Sequence, residues 1–243
     1  LVEAGEAMRR PDSMFMQACV DRVASTHILP RKVLEEQTVR ALGYLDRRIL
    51  MTEIERNFPD PRALDEWVAT QDFTGRRNYV RGFPPRLVHV LPGNSPGGAI
   101  KSVAQGAMVK AFNLFKMSSA DPFTMVAVLQ SMAEVDPVHP VVKSMSAVYW
   151  RGGDAAIERA LYRPQYFDRI VAWGGGDAIQ NVMKYVGPGF QLVSFDPKTS
   201  ISMVGREAFA SEESLAEAAA LNASDVAMAN QEACVCSRFT FIE

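Results

Sequence analysis

An α/β fold built on a parallel sheet is predicted by three features of the chain. From Leu87 onward, short apolar runs suited to strands alternate with helical segments. The change-overs carry turn and cap chemistry: Pro92-Gly93-Asn94-Ser95-Pro96-Gly97-Gly98, Asp121-Pro122 and Gly174-Gly175-Gly176. Upstream, Val33, Leu34, Val39, Leu42, Leu45, Ile49 and Ile54 recur at the three-and-four spacing of a helix instead. Alternating strands and helices imply right-handed crossovers and a sheet covered on both faces. The expected architecture is a Rossmann-like parallel sheet over residues 87–196. A helical lead-in, residues 1–86, packs on that sheet, and residues 197–243 begin a second α/β domain.

Within the lead-in, residues 13–56 read as helix. Asp60-Pro61 and Pro84-Pro85 punctuate a less regular stretch, and the pairs Arg47-Arg48 and Arg76-Arg77 read as solvated helix faces. Residues 87–91 form the first strand of the sheet, and the turn at Pro92 leads into a small-residue helix over 99–108. Residues 111–116 are the next strand. Asp121-Pro122 then opens a helix to about residue 132, because Asp suits the N-cap and Pro the first turn. Residues 147–150 are a third strand, 155–161 a helix and 169–173 a fourth strand. The glycines turn that strand into a helix reaching residue 185, and residues 191–195 are a fifth strand. Residues 199–204 start the next unit, and helices over 212–221 and 225–231 deliver Cys234. In such sheets ligands sit at the carboxyl ends of the strands. The loops that begin at Pro92, Lys116, Gly152 and Gly174 are therefore the ones to watch.

Composition narrows the function classes. The 243 residues are 48% hydrophobic and 22% charged with a net charge of -2, which offers no electrostatic case for nucleic acid or an anionic membrane. No apolar run reaches the ~18 to 20 residues that a membrane span needs. Three cysteines, Cys19, Cys234 and Cys236, are too few and too uneven for a disulfide scaffold, which points to a reducing, cytoplasmic compartment. With His27, His89 and His139 they make no zinc pattern, so no metal is expected. The chain begins at Leu1 without a Met and shows no secretory signal, so an upstream piece is expected.

Four segments carry residues with chemical options. Asn94, in a turn after a strand, is either ordinary turn chemistry or an amide donor to a developing oxyanion. Lys116, at a strand end, either faces solvent or reaches a ribose or phosphate. Ser118 and Ser119 follow it, and a serine there would not repel a 2′-phosphate as a carboxylate would. Gly174-Gly175-Gly176 is a plain turn or a place where phosphate meets a helix N-terminus. It lacks the full G-x-G-x-x-G fingerprint, because Ile179 stands where a third glycine is expected. Cys234, in Gln231-Glu232-Ala233-Cys234-Val235-Cys236-Ser237-Arg238, is a small inert core residue or a nucleophile able to hold an acyl group.

These segments, in this order, together with Phe195-Asp196-Pro197-Lys198-Thr199, resemble the aldehyde dehydrogenase superfamily. The likeness is to its LuxC-type acyl-CoA reductase branch, which forms fatty aldehydes, and it runs from about Leu87 to the end. The resemblance implies a dinucleotide-binding domain over residues 87–196 and the start of a catalytic domain after it. It implies Cys234 as nucleophile, with Cys236 as the runner-up, and Asn94 as the oxyanion-hole amide. Lys116, Ser118, Ser119, Gly174 and Gly175 are implied to bind the cofactor.

Two departures from the oxidising members sharpen the expectation. Ser194 stands in place of their water-activating glutamate, so an acyl-enzyme is expected to pass to hydride or a thiol and not to water. Ser119 stands in place of their ribose-binding glutamate, which favours NADPH over NADH as cofactor. The implied reaction is reduction of a fatty acyl-CoA or acyl-protein thioester to aldehyde. Acyl-transferring or synthetase subunits are the expected partners, and a homo-oligomer the expected state. Other outcomes remain open: an aldehyde oxidiser or phosphoacyl reductase of the same fold, or a non-catalytic nucleotide-binding subunit. Because the chain stops nine residues after Cys234, it is expected to be a fragment of a longer catalytic protein.

Overall fold

A computed structural model describes residues 1–27 and 29–243. It divides the chain into two compact units, Leu1–Phe195 and Asp196–Glu243.

The first unit opens with helices α1 (Val2–Arg9), α2 (Met14–Ala24), α3 (Arg31–Ala41) and α4 (Arg47–Asn57), with a tight 3-10 turn at Leu42–Leu45. Apolar residues at helical spacing form their inner faces; α2 buries Met16, Cys19, Val20 and Val23. The expected packing of this lead-in on the sheet is corrected. It lies on helices α5 (Pro96–Met108) and α6 (Thr124–Val135), which already cover that face. The Ser131 hydroxyl donates to the Ala4 carbonyl at 3.2 Å, and the Cys19 thiol to Thr124 Oγ1 at 3.6 Å.

A second correction concerns residues 68–80. They form an antiparallel hairpin, β1 (Val68–Gln71) and β2 (Arg77–Val80), in the stretch expected to be less regular, where Arg76-Arg77 was expected on a helix face. Three of four β1 residues and all of β2 are exposed, so no apolar alternation announces the strands. Arg77 therefore sits on a strand with its guanidinium 5.4 Å from the Tyr79 ring centre, not on a helix face.

The sheet contains β3 (Arg86–Val90), β4 (Phe112–Lys116), β5 (Met145–Val148), β6 (Arg169–Trp173) and β7 (Gln191–Phe195). It is wholly parallel, in the order β5-β4-β3-β6-β7. The α/β fold with a parallel sheet is thus as the sequence predicts. The strand over 147–150 is shifted: β5 begins two residues earlier, at Met145. Helix α6 also starts later than expected, at Thr124. Asp121 still serves its first turn, accepting from the Phe123 and Thr124 N–H groups at 3.1 and 2.9 Å, while Pro122 stays in the connecting turn. A short helix α7 (Pro140–Lys143) precedes β5. On the other face α8 (Ala155–Leu161) is capped by Asp154, and α9 (Gly176–Met183) begins from the glycine turn.

The pleat decides which face each side chain serves. Val88, Ile170 and Ala172 join Tyr162, Ile179 and Val182 in a core against α8 and α9. Phe115, Leu91 and Met117 join the larger core against the N-terminal helices, α5 and α6. At the amino ends of the strands, Arg86 grips Asp168 through its backbone N–H at 2.7 Å and its guanidinium at 2.7 and 3.3 Å, tying β3 to β6.

One polar pair lies inside the larger core layer. His89 is 2% exposed, and its Nε2 stands 2.9 Å from Asn113 Oδ1. Because Asn113 Nδ2 donates to Ala111 O at 2.8 Å, Oδ1 is the acceptor and His89 Nε2 carries the proton. Gly106 of α5 makes room for this pair: a Cβ there would stand 2.3 Å from Asn113 Oδ1. Gly106→Ala is expected to destabilise the fold by about 1–3 kcal/mol, read as a lower urea midpoint with an unchanged slope.

The second unit pairs β8 (Ser200–Val204) in parallel with β9 (Ser237–Ile242), joined through a 3-10 turn at Arg206–Phe209 and helix α10 (Glu212–Ala227). The two helices expected over 212–221 and 225–231 are corrected to one unbroken helix that ends at Ala227. Asn222 does not break it, because its side chain accepts from the Thr240 hydroxyl at 2.8 Å and does not compete for its own backbone. Beyond α10, Ala229, Asn230 and Gln231 all adopt left-handed backbone, with φ of 46°, 51° and 64°. Among the described residues no helix is long and apolar enough to cross a membrane.

Candidate active site

In the first unit the carboxyl ends of β3, β4 and β6 bring several predicted residues to one edge of the sheet. The loop after β3 carries Asn94, exposed beside Ser95, whose hydroxyl caps α5 by accepting from the Gly97 N–H at 3.2 Å. Asn94 lines a narrow cleft with Asp121, Thr124 and Cys19. That cleft's thiol is no nucleophile: Cys19 is buried, and burial pushes its pKa up to about 11. The loop lies tight on its neighbour, since a Cβ on Gly93 would stand 2.3 Å from Ser118 Oγ. Ser118 also accepts from the Ala120 N–H at 3.3 Å within its own loop; Ser119 is exposed.

Lys116 is the last residue of β4 and shares the strand face of Leu114, which packs against the α8–α9 core. It is not a solvent-facing lysine. Only 7% exposed, it lines a cleft of about 400 Å³ with Gly152, Gly153, Glu158, Tyr162, Asp177, Asn181 and Lys184. Desolvation holds its ammonium below the ordinary lysine range, and the charge of Glu158 opposes that shift. Gly174 and Gly175 follow β6. Gly175 is exposed at the N-cap of α9, with nothing within 4 Å of where a Cβ would stand, so a ligand can approach the backbone. Trp173 stacks on Phe195 at 3.7 Å between ring centres and 4° between planes, and its indole N–H donates to Ser102 at 3.0 Å. Ser194, one residue before that phenylalanine, is exposed.

Cys234 belongs to the second unit. Its side chain is exposed, and its carbonyl accepts from the Ser200 hydroxyl at 2.7 Å. Gln231 and Arg238 brace the loop at either end. Gln231 Nε2 donates to the Ser237 and Val226 carbonyls, and Arg238 donates to the carbonyl of Gln231 and, at 3.1 Å, to its side-chain oxygen. Cys236 is 0% exposed and its thiol donates to the Met228 carbonyl at 2.7 Å. The two cysteines that sequence left in competition thus occupy opposite environments. Sequence reasoning missed Glu158 altogether: in the linear chain it is one charge in a short helix.

A family description of acyl-CoA reductases (LuxC) matches residues 15–243. The chain belongs to the acyl-CoA reductase (LuxC) family. Curated relatives agree. A long-chain acyl-protein thioester reductase of Photorhabdus luminescens is 36% identical over 173 residues, 70% of this chain and 34% of that protein. The enzyme of the same description from Vibrio harveyi is 34% identical over 172 residues, again 70% and 34% of the two chains. The chain spans about a third of the length of these relatives. Solved structures share the fold: an oxidoreductase from Marinobacter aquaeolei superposes with TM-score 0.74 at 16% identity over 100% of this chain and 48% of its own. PnpE in complex with nicotinamide adenine dinucleotide superposes with TM-score 0.71 at 14% identity over 100% of this chain and 47% of its own.

Proposed function

We propose that the protein takes part in NADPH-dependent reduction of a long-chain acyl thioester, on coenzyme A or on a protein, to the aldehyde. The observation that carries this reading is the exposed Cys234 thiol in a braced loop of a chain that belongs to the acyl-CoA reductase (LuxC) family. The names of the curated relatives supply the acyl-protein thioester as substrate class.

The Lys116 cleft suits a dinucleotide. It offers one buried cation and walls without side chains at Gly152 and Gly153, and the start of α9, the helix that lines it, carries an open backbone at Gly175. Lys116, Gly174 and Gly175 would hold the cofactor, with Ser118 and Ser119 beside it in place of a carboxylate that would repel a 2′-phosphate. Bound there, NADPH supplies the hydride for the reduction. Cys234 performs the covalent chemistry. Its thiolate attacks the thioester carbonyl, the C–S bond to the carrier breaks, and the carrier leaves as a thiolate that takes its proton from water, giving an acyl-cysteine. Asn94 is the amide that donates to the oxyanion. When the aldehyde departs, the sulfur returns to thiolate. Ser194 keeps the acyl-cysteine from water because a hydroxyl is too weak a base to activate it.

The test compares directions. NADPH oxidation with tetradecanoyl-CoA or an acylated carrier protein is expected to yield tetradecanal. Aldehyde with NADP and water is expected to yield fatty acid far more slowly. Faster formation of acid than of aldehyde would assign the protein to the oxidising branch, and NADPH binding with no acyl transfer to Cys234 would leave it a nucleotide-binding subunit.

A further inference from the structure

The buried carboxylate of Glu158 has no part in the chemistry above, yet it occupies the wall of the Lys116 cleft at 2% exposure. A buried charge is costly unless it is paired and hydrogen-bonded, so its partners show what it is for. Oε1 accepts the Gly153 N–H at 2.9 Å and Oε2 accepts from Asn181 Nδ2 at 2.8 Å. Desolvation, and with it the Glu158 charge, holds the Tyr185 phenol above its ordinary range. One side chain of α8 thus joins the glycine turn after β5 to helix α9, the two walls between which Lys116 projects. Gly153 can take this place because it adopts a φ of +84°, and a Cβ on Gly152 would stand 3.7 Å from Lys116 Nζ.

We propose that Glu158 is a positioning residue for the cofactor: it fixes the Gly152–Gly153 turn and α9 around Lys116, and supplies the negative charge that faces the Lys116 ammonium and presents it to the phosphorylated ribose of a dinucleotide. This rests on the reading of the cleft as the cofactor site. The other groups at the cleft do not substitute for Glu158. Tyr162 and Tyr185 are held as neutral phenols, first by burial and then by Glu158 itself. Asp177 of α9 and Lys184 at its C-cap are exposed and of opposite sign, and Asp154 and Arg159, which face Tyr185, likewise offset one another. Desolvation pulls the Lys116 pKa down, and the Glu158 charge opposes that shift.

The experiment is fluorescence titration of the purified protein with NADPH, and displacement by 2′,5′-ADP, from about pH 6 to about pH 9.5. Native affinity is expected to hold to a higher pH than that of Glu158→Gln, because the carboxylate opposes the fall in the Lys116 pKa. Glu158→Gln is expected to weaken binding about tenfold, the loss of one charge-assisted contact, with the deficit growing as pH rises. Glu158→Asp restores the native profile, and so does Asn181→Ala, which cuts the tie to α9 but keeps the charge. Lys116→Met binds weakly at every pH and is worsened no further by Glu158→Gln.

A deficit in Glu158→Gln that does not change with pH, or an Asn181→Ala profile that bends as much, assigns Glu158 a purely structural tie and overturns the proposal. Lys116→Met binding as tightly as the native protein overturns the cofactor reading and the proposal with it. If Glu158→Gln does not fold, the native profile decides: a decline that starts near neutral pH shows a lysine without an effective counter-charge.

Discussion

Replacing Cys234 by alanine is expected to abolish covalent labelling by a radioactive long-chain acyl donor and to cut aldehyde formation at least about a thousandfold. Cys236→Ser is expected to keep the label. The two residues are two positions apart, but the strand that starts at Ser237 separates their fates. Cys234 stands in the loop with its thiol in solvent, whereas Cys236 is fully buried and its S–H is committed to the Met228 carbonyl. The thiolate is the reactive form, and it needs both access and release of the proton. A serine at 236 can still donate to Met228, so folding and acylation survive. Labelling retained in Cys234→Ala and lost in Cys236→Ser would reverse the assignment. Denaturation of the labelled protein followed by hydroxylamine treatment should release the acyl group, as a thioester requires.

Acid is expected to destabilise the first unit through His89. The imidazole donates from Nε2 to Asn113, its Nδ1 has no hydrogen-bond partner among the described residues, and the ring packs 4.7 Å from that of Phe115. Burial pushes its pKa down to about 4. The unfolded chain, with a histidine near its ordinary value of 6.5, therefore binds more protons than the native one between about pH 6.5 and pH 4. Stability rises with pH across that window and is lost as pH falls through it. A shift of this size corresponds to about 3 kcal/mol. His89→Gln retains an N–H donor and cannot be protonated. Urea unfolding of the variant should lack that part of the acid slope, whatever its absolute stability. Parallel acid slopes in the native protein and the variant would show that His89 carries no such linkage.

Much of the first unit was legible in sequence because local signals and tertiary demand coincide. Strand β3 is buried on both faces and reads as an apolar run over 87–91 interrupted only by His89, and Gly174-Gly175 sits between strand and helix as its composition asks. The site residue Lys116 could be located at a strand end from the linear chain. That it is buried, and by what, could not, because Glu158 and Asn181 reach its cleft from two later helices. His89 hid for a related reason: its polar partner is in the next strand, and nothing in Leu87-Val88-His89-Val90-Leu91 marks it as paired. The β1–β2 hairpin left no trace because almost none of its side chains is buried. Strand β9 was missed although Arg238-Phe239-Thr240-Phe241 alternates polar and apolar residues, and Arg238, Phe239, Phe241 and Ile242 are all exposed.

The left-handed run at Ala229, Asn230 and Gln231 carries a consequence for how the thiol is presented. Left-handed backbone costs an L-residue about 1–2 kcal/mol, and asparagine alone of the three tolerates it readily. Glycine would relax positions 229 and 231, but it would also multiply the shapes open to the segment. Alanine and glutamine there work as a mechanical stop: once the Gln231 and Arg238 bonds close, the chain has few other ways to turn from α10 toward β9. The loop around Cys234 trades thermodynamic ease for a narrow range of sulfur positions, a trade that suits the nucleophile proposed for this position.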